Sequence, residues 1–357
     1  MDSALSENLK LMTQSRDEMK AHAFRLSGEL EAARATIAEA AQRIAALELQ
    51  RDALEAERDE LKTYVTRLSA VADQQEVHAW RRPELLTNPA GHFYSPIVDP
   101  ASVFVAQALS APLPLAAIDL DSARMQLEFD KLASWYGEMP FQPHKSQGLR
   151  YYFENPAFSY TDAFVLYAYL RSLKPRRIVE IGCGYSTCAL FDTADRFLDP
   201  PPQISCFDPY PDVAIRLTED DDHLRRSIQA IPLQQIPSNV FASLEPNDIL
   251  FIDSSHVAKT GSDVVDYMFR ALPLIRPGVY IHVHDIGYPF EYPHEWVVAE
   301  NRSWNEIYLL RAFLMYNAAF EIVFWNSYFV SQFPEKVRAQ TPDCLKNGGG
   351  SIWLRRR

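Results

Sequence analysis

The first 70 residues contain no proline, a single glycine (Gly28) and two aromatics (Phe24 and Tyr64), which excludes turn-rich globular structure there. Nowhere in the 357 residues is there an apolar run of about 18, so no segment reads as a membrane span. The N-terminus lacks a basic region followed by an apolar stretch, so no secretory signal is read. Cysteine is scarce: Cys183, Cys188, Cys206 and Cys344 form no CxxC pair or other zinc spacing, and reduced thiols in a cytoplasmic protein are expected. An excess of basic charge is also missing. With 35 Lys+Arg against 47 Asp+Glu the net charge is −12, which argues against nucleic acid or an anionic membrane as partner. Wholesale disorder is excluded by a hydrophobic content of 47%.

What the first 70 residues do hold is Ala, Glu, Leu and Arg, all good helix formers. Their apolar positions repeat by seven. One series runs Leu5, Met12, Met19, Leu26, Ala33, Ala40, Leu47, Leu54, Leu61, Leu68; the interleaved one runs Leu9, Arg16, Ala23, Leu30, Ile37, Ile44, Arg51, Arg58, Val65. Alternating steps of three and four are the seam of a left-handed coiled coil. Residues 1–71 are therefore expected to form a coiled-coil helix that drives homo-oligomerisation, with an amphipathic helix folded back on the globular part as the alternative. Residues 72–146, punctuated by Pro83, Pro89, Pro96, Pro100, Pro112 and Pro114, read as a linker and an extension packed on the C-terminal domain, with a helix from about Asp121 to Tyr136.

From residue 147 to 357, short apolar runs alternate with helical patterns. Strands are expected at 177–181, 204–207, 249–252 and 279–283, with helices from Ser186 and over Ser262–Leu274. Strands joined by crossover helices imply a parallel sheet covered on both faces, which binds ligands beyond its carboxyl strand ends. Glu180, Asp208, Asp253 and Asp285 all stand at such ends. The turn Glu180-Ile-Gly-Cys-Gly-Tyr-Ser186 lacks the third glycine of a dinucleotide fingerprint, and its leading acid suits a cofactor with a cationic amino-acid end. Asp208 is placed to hold ribose hydroxyls. S-adenosylmethionine is favoured over NAD.

These residues resemble motif I of class I S-adenosylmethionine-dependent methyltransferases, and the chain is similar to the bacterial methyltransferase-24-type family. The resemblance rests also on Phe158-Ser-Tyr-Thr-Asp162, Asp208-Pro-Tyr-Pro211, Asp248-Ile-Leu-Phe-Ile-Asp-Ser-Ser-His256, His282-Val-His-Asp-Ile286, Pro289-Phe-Glu-Tyr-Pro293, Trp304-Asn-Glu306 and Gly349-Gly-Ser-Ile-Trp353. It implies a Rossmann-like, mostly parallel seven-stranded sheet closed by an antiparallel hairpin, about Glu321–Phe324 with Ser351–Leu354. It also implies Glu180, Gly182, Gly184 and Ser186 at the methionine end of the cofactor, Asp208 on the ribose and Gln235 near the adenine.

For catalysis, Asp253 and His256 are the candidates, with His256 taking the proton of an attacking hydroxyl. The bland alternatives are that His256 bonds a loop carbonyl and that Asp253 serves the cofactor or caps a turn. Asp253 and Asp285 are hard oxygen ligands suited to Mg²⁺ or Mn²⁺, with His284 standing where similar sugar O-methyltransferases carry an acid. His282 is read as structural and as facing away from His284. The aromatic stretch Tyr288–Trp304 reads either as core or as an acceptor pocket, and Arg355-Arg356-Arg357 as a solvated tail. The expected function is O-methyl transfer to a saccharide or other hydroxylated small molecule. A ligand-binding but catalytically silent scaffold and a nicotinamide-dependent oxidoreductase are the alternatives.

Overall fold

The computed structural model describes residues 88–218 and 227–357, with scattered positions between 16 and 62. The chain divides into two units, 1–87 and 88–357. In the first, the described positions are helical and exposed, among them Met19, Leu26, Leu30, Ile37, Ile44 and Leu47 of the heptad series; the rest of the proposed coiled coil lies largely outside the described residues. No helix among the described residues is long and apolar enough to cross a membrane.

The second unit is built on one seven-stranded sheet in the order β3-β2-β1-β4-β5-β7-β6. Its strands are β1 (Arg177–Ile181), β2 (Gln203–Phe207), β3 (Ile228–Gln229), β4 (Ile249–Ile252), β5 (Tyr280–Val283), β6 (Phe320–Trp325) and β7 (Ile352–Arg356). The first five are parallel; β7 runs antiparallel to both β5 and β6, giving the expected closing hairpin. Every residue of β4 and β5 is buried, as a strand covered on both faces requires. Because β1 and β4 lie at the centre, with β2 and β5 beside them, the residues that come after these strands gather along one edge of the sheet.

Four helices matter for the site. Helix α1 (Ser122–Ala133) is capped by the Asp121 carboxylate on the Arg124 amide at 2.9 Å and buries Met125, Phe129 and Leu132. The Phe129 ring stacks on Phe329 at 4.4 Å and faces Phe324 of β6 at 6.2 Å, so this part of the extension belongs to the core. Helix α2 (Tyr160–Leu173) is buried along most of its length, and α3 (Tyr185–Phe197) starts directly after the glycine turn. Helix α4 (Glu306–Leu314) has its first amides, those of Asn305 and Glu306, bonded to the carbonyl of His256 at 3.0 and 3.1 Å.

The final arginines are not a solvated tail. Arg355 and Arg356 belong to β7, Arg355 pairs with Glu321, and Arg357 pairs with Asp119 at 2.8 Å and with Glu321 at 3.3 Å. Glu321 is almost fully buried in β6, so its charge requires these partners.

Candidate active site

The turn after β1 is shaped by contact with the neighbouring strands. Gly182 has φ +82°, and a Cβ there would lie 2.1 Å from the Asp253 carbonyl oxygen, so only glycine lets the turn approach the end of β4. Its amide bonds the Phe207 carbonyl at 2.8 Å, and the Asp253 amide bonds the Ile181 carbonyl at 2.8 Å. Gly184 precedes α3 and has open space where a side chain would project, with its amide donated to Thr187 Oγ1 at 2.9 Å.

Glu180 is fully buried and its two oxygens accept the hydroxyls of Ser186 and Thr187, each at 2.8 Å. Burial pushes its carboxyl up to about 7 against the help of those hydroxyls. Ser186 thus serves Glu180, and together they tie the first turn of α3 to the end of β1. Asp208 is held from the other side: the Cys183 amide reaches Oδ2 at 2.9 Å and the Tyr210 amide reaches Oδ1 at 2.7 Å. Burial raises its carboxyl, and each oxygen keeps a further lone pair for a ligand hydroxyl. Glu180, Gly182, Gly184, Ser186 and Asp208 are therefore brought together around one turn. Gln235 is exposed at the end of the 3₁₀ turn Leu233–Gln235, and its adenine role rests on the resemblance.

A second cluster forms beyond β4 and β5. His256 is buried with Nδ1 at 2.7 Å from Glu306 Oε2, and its Nε2 lies 3.5 Å from Asp253 Oδ1 and 3.4 Å from Asp285 Oδ2. Glu306 is fully buried at the start of α4, and its other oxygen accepts the hydroxyls of Ser254 at 2.8 Å and Tyr267 at 2.7 Å. The ring of Trp304 covers that of His256 at 4.3 Å. Both His256 and Asp285 take the left-handed conformation, with φ +59° and +55°, a costly arrangement for side-chain-bearing residues that is typical of functional sites. Burial works against the charged imidazole, but hydrogen bonds to Asp253 and Glu306 and the charges of Glu306 and Asp285 outweigh it, holding His256 well above its ordinary value. Burial raises Asp285; at Asp253 burial is overcome by the nearby His284 and His256 rings, which lower the carboxyl.

This geometry does not establish the divalent ion expected at Asp253, Asp285 and His284. His256 Nε2 lies within 3.5 Å of an oxygen of each acid and pairs with both. His284 is turned to Ser351 Oγ at 3.3 Å and to Asp285 Oδ1 at 3.6 Å. Among the described residues, the group of three whose donor atoms lie within 4.8 Å of one another is Glu180, Cys183 and Cys206, under the glycine turn.

His282 also departs from expectation. Residues two apart on a strand share a face, and its ring stacks 5.6 Å from that of His284 and 3.8 Å from Phe251. Fully buried, with neither ring nitrogen bonded among the described residues, it is driven well below the usual histidine range by burial and by His284, and is neutral.

Beside this cluster opens a cavity of about 530 Å³, lined by Asp285, His284, Ser159, Tyr288, Tyr292 and Trp296 among others. The size is that of a small-molecule site. The aromatic stretch is therefore divided: Phe290 is buried in the core, Tyr292 is buried yet borders the cavity, and Tyr288 and Trp296 line it while keeping part of their surface exposed. Two residues of the site carry no assignment from sequence reasoning. Glu306 enters there only as part of the segment Trp304-Asn-Glu306 that carries the resemblance, with no role given. Asp162, in the first turn of α2, accepts the amides of Gly350 and Ser351 and the Asn326 side chain at 2.9–3.1 Å, anchoring the segment before β7 against the cavity.

Residues 179–286 match a family model described as a methyltransferase domain. An uncharacterised protein of Archaeoglobus fulgidus is 28% identical over 175 residues, 45% of this chain and 75% of that one. Two solved structures are similar over much of their length: an O-methyltransferase of Bacillus cereus in complex with SAH (14% identity, 71% of this chain and 96% of that one, TM-score 0.35) and the O-methyltransferase TomG of Streptomyces achromogenes in complex with SAM (14%, 68% and 92%, TM-score 0.33). At TM-scores this low, the likeness adds nothing to the sheet order already described. The family match spans the glycine turn and the ends of β1, β2, β4 and β5, and through it the chain is an enzyme carrying an S-adenosylmethionine-dependent methyltransferase domain.

Proposed function

We propose that the protein is an O-methyltransferase acting on a hydroxylated small molecule, a saccharide being the class its aromatic pocket suits. The observation that carries this reading is the position of His256: oriented by Glu306 through Nδ1, it presents Nε2 to Asp285, which in turn lines the cavity. Bound at the glycine turn, S-adenosylmethionine supplies an electrophilic methyl carbon. Asp208, held by two amides, accepts the ribose hydroxyls, and the buried carboxyl of Glu180, by holding Ser186 and Thr187, fixes the start of α3 at the end that receives the amino-acid moiety. The pocket walls hold the acceptor so that its oxygen faces the methyl group, converting a bimolecular encounter into an aligned one. His256 Nε2 removes the hydroxyl proton as the oxygen attacks, and Glu306 stabilises the imidazolium that forms.

Isothermal titration with S-adenosylhomocysteine tests the cofactor half. Micromolar binding is expected for the wild type, and Asp208→Ala should weaken it by about 10–150-fold, the ~1.5–3 kcal/mol of charged hydrogen bonds. Unchanged affinity in that variant would refute the site.

Residues 1–71 are proposed as a coiled-coil oligomerisation helix, supported by the unbroken heptad series. Light scattering should give a multimer for the full chain and a smaller particle after deletion to residue 71. An oligomer number that survives the deletion would remove this role.

A further inference from the structure

The cavity beside Asp285 has a sign. Its walls carry the carboxylates of Asp162, Asp285 and Glu291 and the imidazoles of His284 and His294, and none of the described residues lining it is a lysine or arginine. The three acids differ in what they have left to offer. Asp162 is spent on Asn326, Gly350 and Ser351. Asp285 is faced by the rings of His256 and His284. Glu291 is half-buried in the wall, and one of its oxygens takes the Tyr308 hydroxyl and the Tyr292 amide, the latter at 3.0 Å. It stands in sequence between Tyr288 and Trp296, two of the aromatic residues that line the cavity. Arg302 stacks 4.6 Å from the Trp296 ring, but it is paired with Glu300 and lies outside the lining.

A phosphate or carboxylate entering this space would lose its hydration with no lysine or arginine in the lining to meet it, the His284 imidazole being already faced by Asp285, and would meet a like charge at Glu291. A protonated amine would meet a carboxylate and the electron-rich faces of aromatic rings, the combination that holds ammonium groups. We propose that the pocket selects its acceptor by charge: it takes a hydroxylated acceptor bearing a protonated amine, with Glu291 as the specificity-determining residue, and turns away phosphorylated or carboxylated ones. This rests on the reading of the cavity as the acceptor site.

The test uses the full-length protein saturated with S-adenosylhomocysteine and four probes on one sugar frame: glucosamine, glucose, glucuronate and glucose 6-phosphate, with binding followed by ligand-observed NMR titration. Glucosamine is expected to bind tightest, at least about tenfold tighter than either anion. In Glu291→Gln its advantage over glucose should shrink to within about twofold, while glucose binding is retained. Anions that bind as tightly as glucosamine, an order unaltered in Glu291→Gln, or no binding of any probe would each overturn the proposal. Titration of the same preparation with S-adenosylhomocysteine separates the two failures: retained cofactor binding with the wrong probe order sinks only the charge selection, whereas lost cofactor binding sinks the methyltransferase reading itself.

Discussion

His256→Ala is expected to lower methyl transfer by ~10²–10⁴-fold while leaving affinity for S-adenosylhomocysteine within about twofold of wild type. The split follows from position. The groups assigned to the cofactor hang from the ends of β1 and β2, and the hydrogen bonds that hold them do not involve the His256 ring. The ring instead sits where β4 and β5 end, against Asp253, Asp285 and Glu306. An alkyl hydroxyl is a poor nucleophile until its proton leaves, and alanine at 256 removes the group placed to accept it. Residual rate would come from alignment alone. Because the three carboxylates hold the imidazole well above its ordinary value, the free enzyme carries it protonated at neutral pH, and kcat/KM should rise with pH until it deprotonates. A near-wild-type rate for His256→Ala, or a profile flat from pH 6 to 9, would remove His256 as the base and leave a site that works by alignment.

The ends of β1, β2, β4 and β5 were legible because each is a short apolar run with an acid at or just past its end, and such a run buried on both faces has few other readings. Glu180, Asp208, Asp253 and Asp285 fall where expected for that reason. The partner of His256 was not legible. Glu306 lies 50 residues downstream, and only the fold, by bonding the His256 carbonyl to the first amides of α4, sets the two side chains together. The terminal arginines misled for a similar reason: a basic tripeptide at a chain end looks solvated until Glu321 and Asp119 are seen beside it. The divalent ion was expected from hard ligands at the ends of adjacent strands and from a likeness to sugar O-methyltransferases, and the structure does not establish it. Sequence did not show that the His256 imidazole approaches both Asp253 and Asp285, at 3.5 and 3.4 Å. Nor does sequence reveal that Tyr292 turns to the core, its hydroxyl accepting the Ile307 amide at 3.2 Å.

Glu306→Gln should prove nearly as damaging as loss of the imidazole, lowering kcat by on the order of 10³-fold, and for a reason that a purely structural role would not produce. In the wild type the carboxylate accepts from His256 Nδ1 on one oxygen and from Ser254 and Tyr267 on the other. The glutamine carbonyl can keep both hydroxyls, so the buried network stays filled and the fold is retained. Its amide nitrogen then faces Nδ1, which must accept rather than donate, and the neutral ring is forced to carry its proton on Nε2, the atom that has to take the acceptor's. The same change removes the buried negative charge that stabilises the imidazolium, so the pKa of His256 falls and the rising limb of kcat/KM moves to lower pH even as its plateau drops. The tautomer can be read from the ¹⁵N shifts of the His256 ring, and the limb from rates between pH 5 and 9. A plateau that falls without any shift of the limb, with Nδ1 still protonated, would make Glu306 a packing residue and detach it from the proton transfer.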